Sequence, residues 1–332
     1  MRACVLRTPG PLSGSPLNIE ELPIPTPGHD EVLLKVLACG VCRTDIHIAM
    51  GELPQRMNPL IPGHQIVGEV VDANHSELPV GSRVGVSWMG GVDATCRYCL
   101  TDRENLCDNP IFTGYTHHGG FAEYTTAHVD FVFPLPPKLT DIAAAPLLCA
   151  GIIGFRSLRI AQVLRGQKIG LYGFGSSAQL MMKVLHAWDC GVYVSTRGEA
   201  HQALARELGA IWVGSETETP PQLLDAVITF APSGDVVVSA LRSIAKGGIV
   251  AINAIHLDRI PQFDYDTLLW EERSLRSVAN MTREDGRDFL QIAGALNLTP
   301  SVQTFPLAQA NEALRAIYDD KSSSSVVILP QT

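Results

Sequence analysis

Features that would direct this chain to nucleic acid or to a membrane are missing from its sequence. The 332 residues contain no Lys/Arg-rich run and carry a formal net charge of −9. Because phosphate binding needs a basic surface, nucleic acid is not an expected partner. No apolar run approaches the length of a membrane span, and the first residues lack the apolar core of a signal peptide. We therefore expect a cytoplasmic protein that does not insert into a membrane.

The composition is otherwise that of an ordinary globular protein, with 46% hydrophobic and 18% charged residues. A chain of this length exceeds the size at which one core usually stops growing, so two domains are expected. Of the eight cysteines, three lie close together, which favours metal binding in a reducing compartment over a disulfide framework.

The chain divides into two regions that differ in their pattern of residues. Within the first 130 residues, short apolar runs between Gly and Pro predict strands at 31–41, 65–73 and 82–88. Near residue 140 the sequence becomes rich in Ala and Leu and predicts helices. From 166 onward, short buried strands alternate with helices, which indicates parallel βαβ units with right-handed crossovers. We expect a β-rich domain and an α/β domain.

The most informative segment is Cys42-Arg43-Thr44-Asp45-Ile46-His47, which is followed by His64. Zinc takes cysteine sulfur and histidine nitrogen, and a catalytic zinc site leaves one position open. A hydroxyl beside the metal and an imidazole beyond it could carry a proton from an alcohol to water. The alternative is a buried thiol and a surface imidazole with no shared role, because the further ligands could lie anywhere in the chain.

A second cluster has the spacing Asp93, Cys96, Cys99 and Cys107. Close cysteine pairs followed by a further ligand are how a loop closes around a structural zinc, and a carboxylate oxygen is an acceptable fourth ligand. The alternative is a loop of three reduced thiols without metal. Three thiolates with one carboxylate should bind zinc less tightly than four thiolates.

A glycine turn predicts a dinucleotide site. Gly173, Gly175 and Ala178 follow a predicted strand and open a helix, as in the Rossmann fingerprint. At the end of the next strand, Thr196 stands where NAD-specific folds place an acid, and Arg197 follows it. The missing carboxylate and the guanidinium favour NADP over NAD. The alternative is that Arg197 stacks on adenine and NAD binds.

Six ordered motifs carry a resemblance along nearly the whole chain: GVCRTDIH (40–47), PGHQIVGEVV (62–71), the 93/96/99/107 spacing, GGFAEY (119–124), PLLCAGI (146–152) and the glycine turn (173–178). The chain resembles the zinc-dependent medium-chain alcohol dehydrogenases. The resemblance implies a GroES-like catalytic domain at 1–148 and 288–332 and a Rossmann dinucleotide-binding domain at 149–287. It also implies a homodimer or homotetramer.

The resemblance also implies site residues. Cys42, His64 and Cys149 are the expected protein ligands of a catalytic zinc, and Cys96, Cys99 and Cys107, with Asp93, fall on the structural-zinc lobe. Thr44 is expected to take the alcohol proton and His47 to relay it to solvent. Asp45 is expected to orient the ligand histidine through its carboxylate. Arg43 is expected to contact the cofactor pyrophosphate.

The implied reaction is reversible hydride transfer between an alcohol or aldehyde and NAD(P). Two alternatives stay open: a zinc-free quinone or enone reductase of the same superfamily, and a nucleotide-binding protein without catalysis. Two positions depart from the family. Gln65 stands where a Glu usually follows the ligand histidine, and Asp93 replaces a cysteine. Trp88 and Met89 lie where the family lines its substrate pocket, although a structural role is an equal alternative for the aromatic side chain.

Overall fold

The computed structural model of the protein describes residues 1–74, 76–319 and 324–332. Its strands in these ranges are β1 (Arg2–Leu6), β2 (Leu17–Glu21), β3 (Glu31–Val41), β4 (Gln65–Asp72), β5 (Arg83–Val86), β6 (Met89–Gly91), β7 (Ile111–Phe112), β8 (Tyr124–His128), β9 (Val132–Pro134), β10 (Lys168–Tyr172), β11 (Gly191–Ser195), β12 (Trp212–Gly214), β13 (Leu224–Thr229), β14 (Ile244–Ile252), β15 (Ser274–Ser277), β16 (Val302–Pro306) and β17 (Ser325–Leu329).

The α-helices of the same ranges are α1 (Arg43–Met50), α2 (Asp141–Pro146), α3 (Ile152–Ile160), α4 (Ser176–Ala187), α5 (Glu199–Glu207), α6 (Gly234–Ser243), α7 (Tyr265–Leu268), α8 (Arg283–Ala295) and α9 (Ala310–Tyr318). A π-helical turn at Leu147–Gly151 joins α2 to α3. The strands predicted at 31–41, 65–73 and 82–88 correspond to β3, β4 and β5.

Internal contacts divide the chain into two compact units. The first unit consists of Met1–Cys149 with Asn280–Thr332, and the second is Ala150–Ala279. The return to the first unit thus lies eight residues before the predicted 288. The reason is local bonding: the Asn280 side chain donates to the Asn105 carbonyl at 2.9 Å, and the Arg283 amide donates to Glu104 Oε1 at 2.9 Å.

The first unit is built on a seven-stranded sheet with the order β16-β17-β3-β4-β5-β9, in which β8 also pairs with β3. β3 pairs antiparallel with β4 on one side, and with β17 and β8 on the other. Alternate residues of β3 from Val32 to Ala38 are fully buried, the period expected of a strand with one face on the core. The β-rich prediction is confirmed.

The second unit contains a six-stranded sheet with the order β12-β11-β10-β13-β14-β15, and every pairing in it is parallel. With β10 counted as the first strand, this is the order 3-2-1-4-5-6 of doubly wound dinucleotide-binding folds. The carboxyl ends of β10 and β11, where such folds bind nucleotides, carry Gly173 and Thr196. The prediction of a Rossmann fold is confirmed.

One helical run differs from the expectation that no apolar run of the sequence approaches the length of a membrane span. Asp141–Ile160 is 20 residues long with a mean hydropathy of 1.5, which is long and apolar enough to cross a membrane by length and composition. However, 67% of its most apolar window is buried inside the structure. Burial of this extent is typical of the core helix of a soluble protein, so the run is weak evidence for a membrane span.

Candidate metal and cofactor sites

The sheet register brings the first metal cluster together. β3 and β4 pair with Gly40 opposite Gln65, so Cys42, just after β3, lies near His64, just before β4. Cys42 Sγ is 3.3 Å from His64 Nε2. Cys149 reaches the same point from the π-helical turn, and the three ligand atoms lie within 4.8 Å of one another. Two thiols and one imidazole around a single point fit zinc, with one position left over.

The Asp45 carboxylate contacts two of the three cluster residues, Cys42 and His64. Its Oδ1 accepts from the Gly63 amide and faces His64 Nδ1, both at 3.2 Å, and its Oδ2 accepts from the Cys42 amide at 2.9 Å. The bond from the Cys42 amide to Asp45 is one half of a capping box at the start of α1, in which the Cys42 side chain, as N-cap, accepts the other bond from the helix backbone. Because Asp45 binds the Nδ1 side of the ring, His64 presents Nε2 to the cluster. This is the arrangement expected of a carboxylate that orients a metal-binding histidine.

Electrostatics inside the cluster favour the thiolate that a metal would bind. Hydrogen bonding from Cys149 and the charge of His64 hold the pKa of Cys42 well below its usual range. Burial lowers the pKa of His64, but the Asp45 carboxylate and Cys42 outweigh it and raise that pKa well above its usual value. Burial raises the pKa of Asp45. The hydrogen bond to Cys42, together with burial, raises the pKa of Cys149 well above its usual value. Metal binding would therefore release the proton between Sγ and Nε2 and also the Cys149 thiol proton.

α1 carries the two predicted proton-transfer residues. Thr44 is buried, and its amide donates to Cys42 Sγ at 3.3 Å. His47, three residues later on the same helical face, has a side chain that is 21% exposed. Its Nδ1 contacts Glu52, a partner that the sequence reasoning missed although it lies just past the helix end at Gly51. Arg43, the first residue of α1, is exposed.

An aromatic stack borders the cluster. The Trp88 ring meets His64 edge-on with centroids 5.2 Å apart, and stacks on Phe112 and Tyr115 with centroids 4.8 Å and 5.8 Å apart. Met89 is fully buried and offers no exposed surface to a substrate, whereas Trp88 is half-buried. That these two side chains line a substrate pocket stays a prediction.

Gln65 begins β4 and is buried. Its Oε1 lies 2.7 Å from the point where a Cβ on Gly40 would be, so its side chain packs across β3 against the bare backbone of that glycine. A larger residue at position 40 would displace Gln65.

The second predicted cluster also assembles. The ligand atoms of Asp93, Cys96, Cys99 and Cys107 lie within 4.8 Å of one another. Cys96 Sγ is 3.6 Å from Cys99 Sγ, and the Asp93 amide donates to Cys107 Sγ at 3.3 Å. Burial raises the pKa of the Cys99 thiol to about 12, while backbone donors led by the Cys99 amide lower that of Cys96. Three thiols and a carboxylate fit a structural zinc.

The Asp93 carboxylate is already held by N–H donors. Oδ1 accepts from the amides of Thr95 and Cys96, both at 3.0 Å, and Oδ2 accepts from Asn109 Nδ2 at 3.1 Å. These donors, led by the Cys96 amide, lower the pKa of Asp93. A carboxylate has about four lone-pair sites, so one site on Oδ2 remains for a metal. Asn109 was missed by the sequence reasoning, although it lies only two residues after Cys107.

The glycine turn has the geometry of a phosphate site. Gly173 has φ +89°, and a Cβ there would lie 2.8 Å from the Ala231 amide nitrogen. A Cβ on Gly175 would point into open space, and no side chain caps the N-terminus of α4 at that residue. Free amides at a helix N-terminus with bare backbone beside them suit a pyrophosphate. Ala178 is fully buried in the close-packed third position.

Next to the glycine turn, Thr196 is buried and its amide donates to the Gly214 carbonyl at 3.0 Å. Arg197 is exposed, and its Nε lies 3.1 Å from Glu216 Oε1. The Thr196 amide thus joins the ends of β11 and β12, and the Arg197 side chain is the exposed one of the two residues. Glu216 was not found from the sequence because it follows a different strand, β12.

A β-rich unit with a Cys–His–Cys cluster and a doubly wound unit with a glycine turn are the two parts expected of a medium-chain dehydrogenase. The family model described as "Alcohol dehydrogenase GroES-like domain" matches residues 28–137. A Mycobacterium tuberculosis protein described as "Probable alcohol dehydrogenase AdhA" is 40% identical over 99% of this chain and 97% of the relative. The chain belongs to the zinc-dependent medium-chain alcohol dehydrogenase family. It is accordingly an oxidoreductase that acts on alcohols.

Two further similarities agree with this assignment. An alcohol dehydrogenase of Geobacillus stearothermophilus is 31% identical over 94% of this chain and 95% of its own length. The solved structure of a cobalt- and zinc-bound thermostable alcohol dehydrogenase from Pyrobaculum aerophilum superposes with a TM-score of 0.88. It is 23% identical, with 99% of each chain covered, and at that identity it supports the fold alone.

Proposed function

We propose that this protein is a zinc-dependent alcohol dehydrogenase and aldehyde reductase that transfers hydride reversibly between an alcohol and NADP. The observation that carries the proposal is the buried cluster of Cys42, His64 and Cys149, whose ligand atoms lie within 4.8 Å of one another. When bound there, zinc supplies a Lewis acid for the substrate oxygen, and the nicotinamide supplies or accepts the hydride.

The chain's own residues orient the metal ligands and move the proton. Asp45 fixes His64 through Nδ1, which leaves Nε2 for the metal. The Thr44 hydroxyl exchanges the proton of the substrate oxygen, and His47 passes it on to solvent, since its ring is partly exposed and lies on the same face of α1. Glu52 holds His47 Nδ1, so Nε2 is the nitrogen that faces the relay.

Two features support the cofactor and the substrate class. Gly173 and Gly175 leave room for a pyrophosphate at the start of α4, and Arg197 offers a guanidinium where a 2′-phosphate would lie. The end of β11 carries Thr196 in place of the acid that NAD-specific folds have there, which favours NADP. The Trp88 ring beside His64 favours apolar alcohols and aldehydes. The pyrophosphate contact of Arg43 stays a prediction.

The loop of Asp93, Cys96, Cys99 and Cys107 is proposed to hold a second, structural zinc. Its side chains lie away from the proton-transfer residues in sequence, and its chemistry is that of a ligand cage rather than of an open site. We therefore expect up to two zinc ions per chain.

The test is an alcohol and aldehyde panel run with NADPH and NADH, before and after chelation, together with metal analysis. Cys42→Ser should lose activity by about 100-fold or more while it still binds NADPH, because the Lewis acid is lost but the second unit is intact. Full activity after chelation and in Cys42→Ser would favour the zinc-free reductase. Cofactor binding without turnover on any panel member would favour the non-catalytic protein.

A further inference from the structure

An ion pair at the edge of the parallel sheet bears on cofactor choice. Arg197 follows β11 by two residues, and Glu216 follows β12 by two residues. Their side chains meet with Arg197 Nε 3.1 Å from Glu216 Oε1, and they are 77% and 27% exposed respectively. β11 and β12 are parallel neighbours, so their carboxyl ends open on the same ligand-binding edge. The carboxylate that β11 lacks is thus supplied by the next strand.

We propose that Glu216 is a specificity-determining residue, which pairs with Arg197 and has to release it when a 2′-phosphate binds. The inference rests on the proposed nicotinamide cofactor and concerns the same site. Thr196 and Arg197 alone would favour a 2′-phosphate, whereas Glu216 puts an acid at the point where that phosphate would lie.

The backbone that carries Glu216 is anchored to the site. The Thr196 amide donates to the Gly214 carbonyl at 3.0 Å, which ties the end of β12 to the end of β11. From the other side, Ser239 Oγ on α6 donates to the Glu216 carbonyl at 3.0 Å. The carboxylate is therefore held next to Arg197 by its main chain and does not depend on the ion pair alone for its position.

Glu216 should affect the binding of NADPH and NADH differently. A 2′-phosphate carries nearly two negative charges and needs the Arg197 guanidinium, which is already paired with Glu216. Once Glu216 releases Arg197, its carboxylate repels the phosphate. A 2′-hydroxyl can donate a hydrogen bond to that carboxylate and needs no cation. Because Arg197 is largely exposed, solvent screens the pair, and the effect should be severalfold rather than hundreds of fold.

The experiment measures the dissociation constants of NADPH, NADH and adenosine 2′-phosphate for the full-length protein by calorimetry or nicotinamide fluorescence. Glu216→Gln should lower the constants for NADPH and adenosine 2′-phosphate about fivefold and change that for NADH by less than about twofold. Glu207→Gln is the matched control, since Glu207 is exposed at the far end of α5, roughly 12 Å along the helix from Glu199. It removes the same charge and should leave all three constants unchanged.

The outcomes separate this inference from the proposed function. An unchanged NADPH-to-NADH ratio in Glu216→Gln, or an equal gain in Glu207→Gln, would overturn the role of Glu216. Arg197→Ala is the reference for the phosphate site and should weaken NADPH much more than NADH. If Arg197→Ala shows that selective loss while Glu216→Gln has no effect, only the inference fails. If Arg197→Ala affects both cofactors equally, or neither cofactor binds, the proposed cofactor fails and the inference with it.

Discussion

Asp45 is the residue on which most of the metal cluster depends. Its fully buried carboxylate serves Cys42, Gly63 and His64 at once. Asp45→Asn removes the charge and turns one acceptor oxygen into a donor that faces N–H groups. We expect zinc affinity to fall about 10- to 100-fold and the free energy of unfolding to fall by roughly 2–4 kcal/mol.

Competition with a zinc indicator and urea denaturation measure these two effects of Asp45→Asn. The control is Asp266→Asn, the same change at an exposed position of α7. Wild-type zinc affinity in Asp45→Asn would contradict the orienting role, whatever the change in stability.

The contact between His47 and Glu52 gives a second prediction at the residue scale. If Glu52 acts only by holding the His47 ring, its removal should matter only while the ring is present. We expect turnover to fall about tenfold or more in His47→Gln and about two- to tenfold in Glu52→Gln. The double variant should be no slower than His47→Gln. A double-mutant cycle of kcat values checks this, and simply additive losses would contradict it.

At the scale of elements, the two glycines of the β10–α4 turn should respond differently to the same methyl group. Gly173→Ala places a side chain at φ +89° and against the Ala231 amide, so the free energy of unfolding should fall by about 1–3 kcal/mol. Gly175→Ala points into open space and should change that stability by less than about 0.5 kcal/mol.

Gly175→Ala should nevertheless raise the cofactor dissociation constant about tenfold, because its methyl fills the space through which a pyrophosphate approaches the backbone. Denaturation curves and cofactor titrations on both variants measure the two effects. A stable Gly175→Ala protein with unchanged cofactor affinity would contradict the placement of the phosphates.

The loop that contains Asp93, Cys96, Cys99 and Cys107 should hold zinc weakly for a structural site. Its one carboxylate is a harder ligand than a thiolate. We expect Asp93→Cys to slow zinc release to a chelating dye about tenfold, and Asn109→Ala to speed it severalfold, because Asn109 holds Asp93 Oδ2. Cys96→Ser identifies the kinetic phase that belongs to this loop. Equal rates of zinc release in Asp93→Cys and Asn109→Ala would contradict the assignment of the Asp93 carboxylate as a zinc ligand.

At the scale of the whole molecule, the sequence was sufficient for the fold and for ligands that neighbouring strands bring together. Short apolar runs between Gly and Pro predicted β3 and β4, and the antiparallel register of these strands is what joins Cys42 to His64. Strand and helix alternation predicted the doubly wound sheet. These patterns are local, since strand and helix periods are set by backbone geometry.

The partners that the sequence did not reveal come from outside those periodic segments. Glu52 follows the end of α1, Asn109 lies in a loop, and Glu216 arrives from the end of β12. A carboxylate or amide in a turn has no periodicity, and only the tertiary fold decides which other turn it meets. The domain boundary at Asn280 is of the same kind, because side-chain bonds to Glu104 and Asn105 set it.

The second unit should fold by itself, because it is one continuous stretch, Ala150–Ala279, whereas the first unit needs two separate segments. It has its own apolar core around Tyr172 and Val227 and contains the glycine turn, Arg197 and Glu216. We expect a fragment of these residues to unfold cooperatively in urea and to bind adenosine 2′-phosphate within about tenfold of the full-length protein. The control is the Arg197→Ala fragment, which should fold but not bind. A fragment that unfolds without cooperativity would show that the parallel sheet depends on the first unit for its stability.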